Sequence, residues 1–231
     1  MNQMDHVVYV VDDDPLVQEA LTDLLSSAGF NAVAFGSVGA YLQESKPEVP
    51  GCLVLDVKLP DINGLDFQRQ LSATDHIPIV FISGHGDIPS TVRAIKEGAL
   101  DFLTKPFSDE ALLQAVKAAL DQDRKALKER TELAELKARY SSLTPRERDV
   151  LPLIVAGPLN KQAAAELGIS EFTLQIHWSN VMRKMAAGSL AELVRLAARL
   201  DLSIPPGRGG KRTYSDSSTV LAPPSRNGVP E

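Results

Sequence analysis

The chain has 231 residues, 44% hydrophobic and 23% charged, with a formal net charge of −6. This composition supports one large core or two modest ones; the single cysteine, Cys52, excludes an internal disulfide framework and suits a reducing compartment, and no apolar run approaches the roughly 20 residues that cross a bilayer. The charge is uneven: residues 1–124 hold 8 Lys/Arg against 19 Asp/Glu and residues 125–231 hold 16 against 11, which points to a cation site in the first half and permits a polyanion partner in the second.

The opening MNQMDHVVYVVDDD lacks a basic n-region, so no secretory signal is expected and the protein is read as cytoplasmic. VVYVV at 7–11 reads as a buried strand. Asp14-Pro15 then reads as a helix cap followed by proline at the first helical position, with Gly29 ending that helix. Further strands are predicted near 31–35, 51–55, 77–82 and 100–103. Helices are predicted near 38–45, 65–72, 88–98 and 109–121. Five alternations of strand and helix in about 120 residues argue for a parallel sheet covered on both faces. Residues 122–140 are rich in charge and helix formers and read as a helical linker. Thr144-Pro145-Arg146-Glu147 is a capping box that opens a compact helical unit reaching about 203. Beyond Ile204 the composition is Pro-, Gly- and Ser-rich and reads as a disordered tail.

In a parallel α/β sheet, ligands bind outside the carboxyl ends of the strands. The predicted ends carry Asp12-Asp13-Asp14, Asp56, Ser83 and Lys105-Pro106, which the topology would gather on one edge. Clustered carboxylates repel one another, and a hard divalent cation relieves the repulsion. Mg²⁺ takes carboxylate oxygens while keeping waters, which leaves room for a phosphate oxygen. A carboxylate can also attack phosphorus to give an aspartyl phosphate, with an ammonium stabilising the transferring charge.

The segments VVDDDP, LDVKLPDINGLD, ISGHGD and DFLTKPF resemble the receiver motifs of two-component response regulators over roughly residues 5–121. The resemblance implies a flavodoxin-like fold with five parallel strands. It implies Asp56 as phosphoacceptor, and Asp12, Asp13, Asp56 and the backbone carbonyl of Val57 as Mg²⁺ ligands. It also implies Ser83 as the switch hydroxyl, Phe102 as the rotating aromatic, Lys105 as the phosphoryl contact, and a cis bond before Pro106. Gly84 stands where the family keeps a small residue that admits the phosphodonor. His85 is read as exposed, without a role. No Gly-rich phosphate loop is present, so direct use of ATP is not expected. Beyond its own phosphorylation and slow dephosphorylation, no enzyme activity is expected.

Residues 140–203 resemble a LuxR-type helix-turn-helix of the NarL/FixJ class, an all-α unit. Asn160 is read as the cap of a helix over 161–167, Gly168 as the turn, and Ser170 as the cap of a second helix over roughly 171–185 that would enter the major groove. Leu174, Val181 and Met185 form its inward face. The resemblance places Gln175, Ile176 and Ser179 on the base-reading face, and Thr173 and His177 at the phosphates. Lys161, Arg183 and Lys184 are expected to add electrostatic grip. Gln175 stands where lysine is common in the family, Trp178 stands where arginine is frequent, and Pro152 falls inside the preceding helix. Residues 141–203 hold 7 basic against 6 acidic residues, so weak, salt-sensitive DNA binding is expected. Residues 189–200 form an amphipathic helix with a stripe of Leu190, Leu193, Leu196, Ala197 and Leu200 that serves core packing and, by resemblance, the dimer contact.

The whole reads as a receiver (5–121), a linker (122–139), a helix-turn-helix unit (140–203) and a tail (204–231). The implied function is transcription control switched by phosphorylation. The implied partners are a sensor histidine kinase, promoter DNA and a second copy of the chain, with no membrane. The alternatives are a phosphorylation-switched protein-interaction module and a phosphoryl sink whose DNA binding has degenerated.

Overall fold

The computed structural model describes residues 5–71, 77–84, 88–156 and 160–202. The proposed tail and His85 therefore lie outside the described residues, as does the side chain of Asn160. The chain divides into two compact units between Ala134 and Glu135.

In the first unit the strands are β1 (Val7–Val11), β2 (Ala32–Phe35), β3 (Gly51–Asp56), β4 (Ile79–Ser83) and β5 (Asp101–Thr104). They alternate with α1 (Pro15–Ser27), α2 (Val38–Gln43), α3 (Gly64–Leu71) and α4 (Ile88–Lys96), and α5 (Asp109–Ser141) follows β5. The sheet is five-stranded, wholly parallel, and ordered β2-β1-β3-β4-β5, the flavodoxin-like doubly wound topology. Alternate side chains supply two cores, as the period of two in a strand requires. Tyr9, Leu53, Leu55 and Phe81 pack with Tyr41 and Phe67 on one face. Val8, Val10, Val54 and Ile82 pack with Leu25, Leu112 and Val116 on the other. The β-branched run at 7–11 is buried along its whole length because it is covered from both sides.

Helix α5 runs unbroken for 33 residues, so the segment read as a linker continues the last receiver helix. No glycine or proline interrupts Asp109–Ser141, and Ala, Leu, Lys, Glu and Arg dominate it. Asp123, buried on this helix, accepts the Gly51 N–H at 2.8 Å, where β3 begins, and Arg130 faces it at 3.2 Å.

The second unit holds α6 (Pro145–Ala156), α7 (Asn160–Leu167), α8 (Glu171–Lys184) and α9 (Leu190–Arg199). The capping box is reciprocal. Thr144 N–H donates to Glu147 Oε2 at 2.8 Å, and Glu147 N–H donates to Thr144 Oγ1 at 3.3 Å. Pro152 is accommodated inside α6, which continues through it at the expense of one backbone hydrogen bond. Gly168 turns the chain from α7 to α8 at φ +66, a backbone region that costs most side chains about 1–2 kcal/mol. Ser170 caps α8 by accepting the Thr173 N–H at 3.1 Å. Leu174, Val181 and Met185 are buried with Leu151, Ile154 and Leu193 in the unit's core, as the helical spacing predicts.

Candidate functional site: a carboxylate–lysine edge and an exposed helix face

Because the sheet is parallel, the ends of β1, β3, β4 and β5 open on one edge. Asp12 follows β1 and is 1% exposed, Asp56 ends β3 and is 6% exposed, and Ser83 ends β4 and is 1% exposed. Lys105 follows β5. Its N–H donates to the Ser83 carbonyl at 2.8 Å, which extends the β4–β5 ladder by one bond and aims the side chain back across the sheet. The bond from Lys105 to Pro106 is cis.

Lys105 Nζ donates to Asp12 Oδ2 at 2.6 Å and to Asp56 Oδ1 at 3.0 Å. The remaining oxygens are held by backbone: Asp12 Oδ1 accepts the Asp14 N–H at 3.0 Å, and Asp56 Oδ2 accepts the Lys58 N–H at 2.6 Å. Gln18 Nε2 donates to the Asp12 carbonyl at 2.7 Å and fixes the turn from below. Two buried carboxylates thus share one ammonium. Burial pushes the Asp56 carboxyl above its ordinary range; the Lys105 and Lys58 hydrogen bonds oppose this and the Asp12 charge adds to it. Burial works to lower the Lys105 ammonium, but its bonds to both carboxylates outweigh that and leave it raised.

Of the other expected receiver residues, Asp13 is exposed beside this pair and Asp14 caps α1 by accepting the Leu16 N–H. The Val57 carbonyl accepts the Gly64 N–H at 2.9 Å. Phe102 is half-buried, its ring 6.1 Å from that of Phe81. Among the described residues, no three His, Cys, Asp or Glu side chains already converge on one point. The donor set nonetheless suits Mg²⁺: hard carboxylate oxygens, a nearby backbone carbonyl, and an excess of negative charge over the one ammonium.

Sequence reasoning passed over Gly64. A Cβ there would come within 2.5 Å of the Asp56 carbonyl oxygen, so only glycine lets α3 start against the loop that carries Asp56. The residue lies inside the quoted segment LDVKLPDINGLD, but its closeness to Asp56 depends on a fold-back of seven residues that periodicity does not reveal.

On the second unit, Gln175, Ile176, Ser179 and Arg183 are exposed on α8, while Thr173 and His177 are half-buried. The Thr173 hydroxyl is 2.8 Å from Ser170 Oγ, and Arg183 Nη2 donates to Asn180 Oδ1 at 3.3 Å. Lys161 is exposed on α7. Trp178 is half-buried against the helical core, which accounts for an aromatic at this place.

Lys184 corrects an expectation. Its Nζ lies 2.7 Å from the buried Glu147 carboxylate and donates to the Ser142 carbonyl at 3.2 Å. It therefore ties the end of α8 to the start of α6 and is not free to grip phosphate. The hydrogen bond from Lys184 holds the Glu147 carboxyl below its usual range, the Thr144 bonds assisting and burial opposing. Leu190, read as part of an apolar stripe, stands 40% exposed, whereas Leu193 and Ala197 are buried.

Residues 8–117 match the family described as response regulator receiver domain, and residues 141–197 match that described as bacterial regulatory proteins, luxR family. The chain belongs to the two-component response regulators of the NarL/FixJ class, in which a receiver is joined to a LuxR-type helix-turn-helix. It is 50% identical over 198 residues to nodulation protein W of Bradyrhizobium diazoefficiens, covering 85% of this chain and 87% of that one. It is 47% identical over 205 residues to the response regulator protein TmoT of Ectopseudomonas mendocina, covering 88% and 93%. Among solved structures it is similar to the response regulator StyR, with a TM-score of 0.78 and 47% identity over 84% of this chain and 99% of that one.

Proposed function

We propose that Asp56 accepts a phosphoryl group from the phosphohistidine of a sensor kinase, and that this switches the helix-turn-helix unit into a form that binds promoter DNA as a homodimer in the cytoplasm. The observation that carries the reading is the Lys105 ammonium bound by both Asp12 and Asp56 at the open edge of the sheet. An Asp56 carboxylate oxygen forms the new P–O bond while the P–N bond of the donor breaks, and the imidazole leaves with the electron pair and takes up a proton. Lys105, already on Asp56 Oδ1, neutralises charge on the transferring oxygens. Asp12, Asp13, Asp56 and the Val57 carbonyl would hold Mg²⁺, which supplies Lewis-acid charge neutralisation.

The added charge and acceptor oxygens on Asp56 draw Ser83 and Phe102 toward the site, and the surrounding face changes with them. The receiver is assigned to residues 5–121, the linker to 122–139 and the DNA-binding unit to 140–203, a division supported by the two family matches. Gln175, Ile176 and Ser179 read bases, Thr173 and His177 meet phosphates, and Lys161 and Arg183 add charge.

The test is binding of promoter fragments by the full chain before and after treatment with a small acyl phosphate and Mg²⁺, for wild type and Asp56→Asn. Specific binding that tightens only in wild type is expected. Confirmed phosphorylation without specific binding in any state would overturn the DNA-binding half of the proposal.

A further inference from the structure

Helix α8 carries two large exposed apolar side chains one turn apart: Phe172, 73% exposed, and Ile176, 47% exposed. At about 100° per residue they lie roughly 40° apart around the axis, with Ser179 and then Gln175 continuing the same face beyond Phe172. All four are exposed, whereas Leu174, Val181 and Met185 on the opposite side are buried, so this stripe is not part of the unit's core. Exposing a phenylalanine forgoes the burial that normally stabilises it, which points to an occupant supplied from outside. From Glu171 to Met182 the helix contains no lysine or arginine. Arg183, the first cation, stands at the far end of the helix and is hydrogen-bonded to Asn180.

The chemistry of this stripe is selective. Guanine is read in the major groove chiefly by bidentate arginine or lysine, adenine by bidentate glutamine or asparagine, and thymine by apolar contact with its C5 methyl. Recognition helices address bases mainly with their N-terminal residues, and the exposed stripe here offers one amide, one hydroxyl and two apolar side chains. We infer that this chain reads A·T pairs: Gln175 pairs with adenine, and Ile176 and Phe172 pack on thymine methyl groups, making Phe172 a specificity-determining residue. This rests on the reading of α8 as the helix that enters the major groove.

The experiment is selection from a randomised duplex pool with the full chain phosphorylated by a small acyl phosphate. The best sequence is then resynthesised with deoxyuridine in place of thymidine, which removes only the methyl groups. A·T-rich half-sites are expected, with binding weakened about 4-fold for each contacted methyl removed. Phe172→Ala and Ile176→Ala should lose affinity for thymidine DNA and become indifferent to deoxyuridine at their own positions. Enriched half-sites dominated by G·C, or equal binding of both DNAs by wild type, would overturn the inference while leaving the DNA-binding proposal intact. Failure to enrich any sequence, with phosphorylation confirmed by mass, would overturn both, and the exposed pair would then be a protein contact.

Discussion

Lys105 Nζ lies 2.6 Å from Asp12 and 3.0 Å from Asp56, so one cation serves two buried anions that come from the ends of different strands. The remaining charge imbalance shapes both the stability and the chemistry of the receiver.

Asp56→Asn should abolish phosphorylation and raise the melting temperature near neutral pH. Because the folded-state carboxyl titrates above its ordinary value, ionised Asp56 opposes folding at neutral pH. That penalty disappears as pH falls through the folded value. Thermal scans of wild type and variant across mildly acidic to neutral pH should show the variant's advantage shrinking on acidification.

Lys105→Ala should cost about 2–3 kcal/mol at neutral pH, reduced from the full penalty of a broken buried pair because the lysine side chain is 27% exposed. Losing the cation removes what opposes the upward shift of the Asp56 carboxyl, so the deficit should narrow in acid. Added Mg²⁺ should stabilise this variant more than wild type. A variant indifferent to both acid and Mg²⁺ in thermal scans would show that the shared ammonium is not what holds the carboxylates.

Gly64→Ala should destabilise the receiver by about 1–3 kcal/mol, the range for overpacking, because the new methyl meets backbone and not a yielding side chain. Its phosphorylation rate with a small donor should fall as well, since the displaced atom is the Asp56 carbonyl. Denaturant unfolding and timed mass spectrometry measure the two effects.

Lys184→Met should destabilise the helical unit by about 2–3 kcal/mol through the buried Glu147 it strands. The double variant with Glu147→Gln should recover part of that loss. Glu147 titrates below its usual range, so its contribution is complete above that range and is lost as pH drops through the lowered value. Lys161→Ala should reduce the salt slope of DNA binding by about 1 without changing stability, and a folded Lys184 variant should leave the slope unchanged.

Cys52 is fully buried within β3, and burial pushes its thiol up, far from any reactive range. It should resist thiol reagents in the native protein and react at the rate of unfolding. Labelling followed by mass spectrometry across a denaturant series measures this.

The sequence displays the sheet plainly because strands covered on both faces read as unbroken apolar runs, and VVYVV and the CLVL of β3 do so. Asp12, Asp56 and Lys105 were legible because parallel topology makes strand ends converge, whatever their separation along the chain. That Asp13 stands exposed while Asp12 is buried, and that the amides of Asp14 and Lys58 hold the carboxylates, were beyond that logic, since they depend on local turn geometry. Lys184 misled because a lysine near the end of a helix looks like a surface charge, and only the fold brings Glu147, 37 residues earlier, into contact with it. Phe172 was passed over because an aromatic in an amphipathic helix reads as core until its exposure is known.

The hydrogen bond from Gly51 to Asp123 bears on how this protein should be cut. The receiver match ends at residue 117 and the apolar pattern of α5 fades by 121. A fragment ending there would leave the first amide of the central strand without its acceptor, and Arg130 would be lost with it. Such a fragment would report a weakened receiver whose weakness came from the scissors. An excised receiver should keep the helix beyond Arg130.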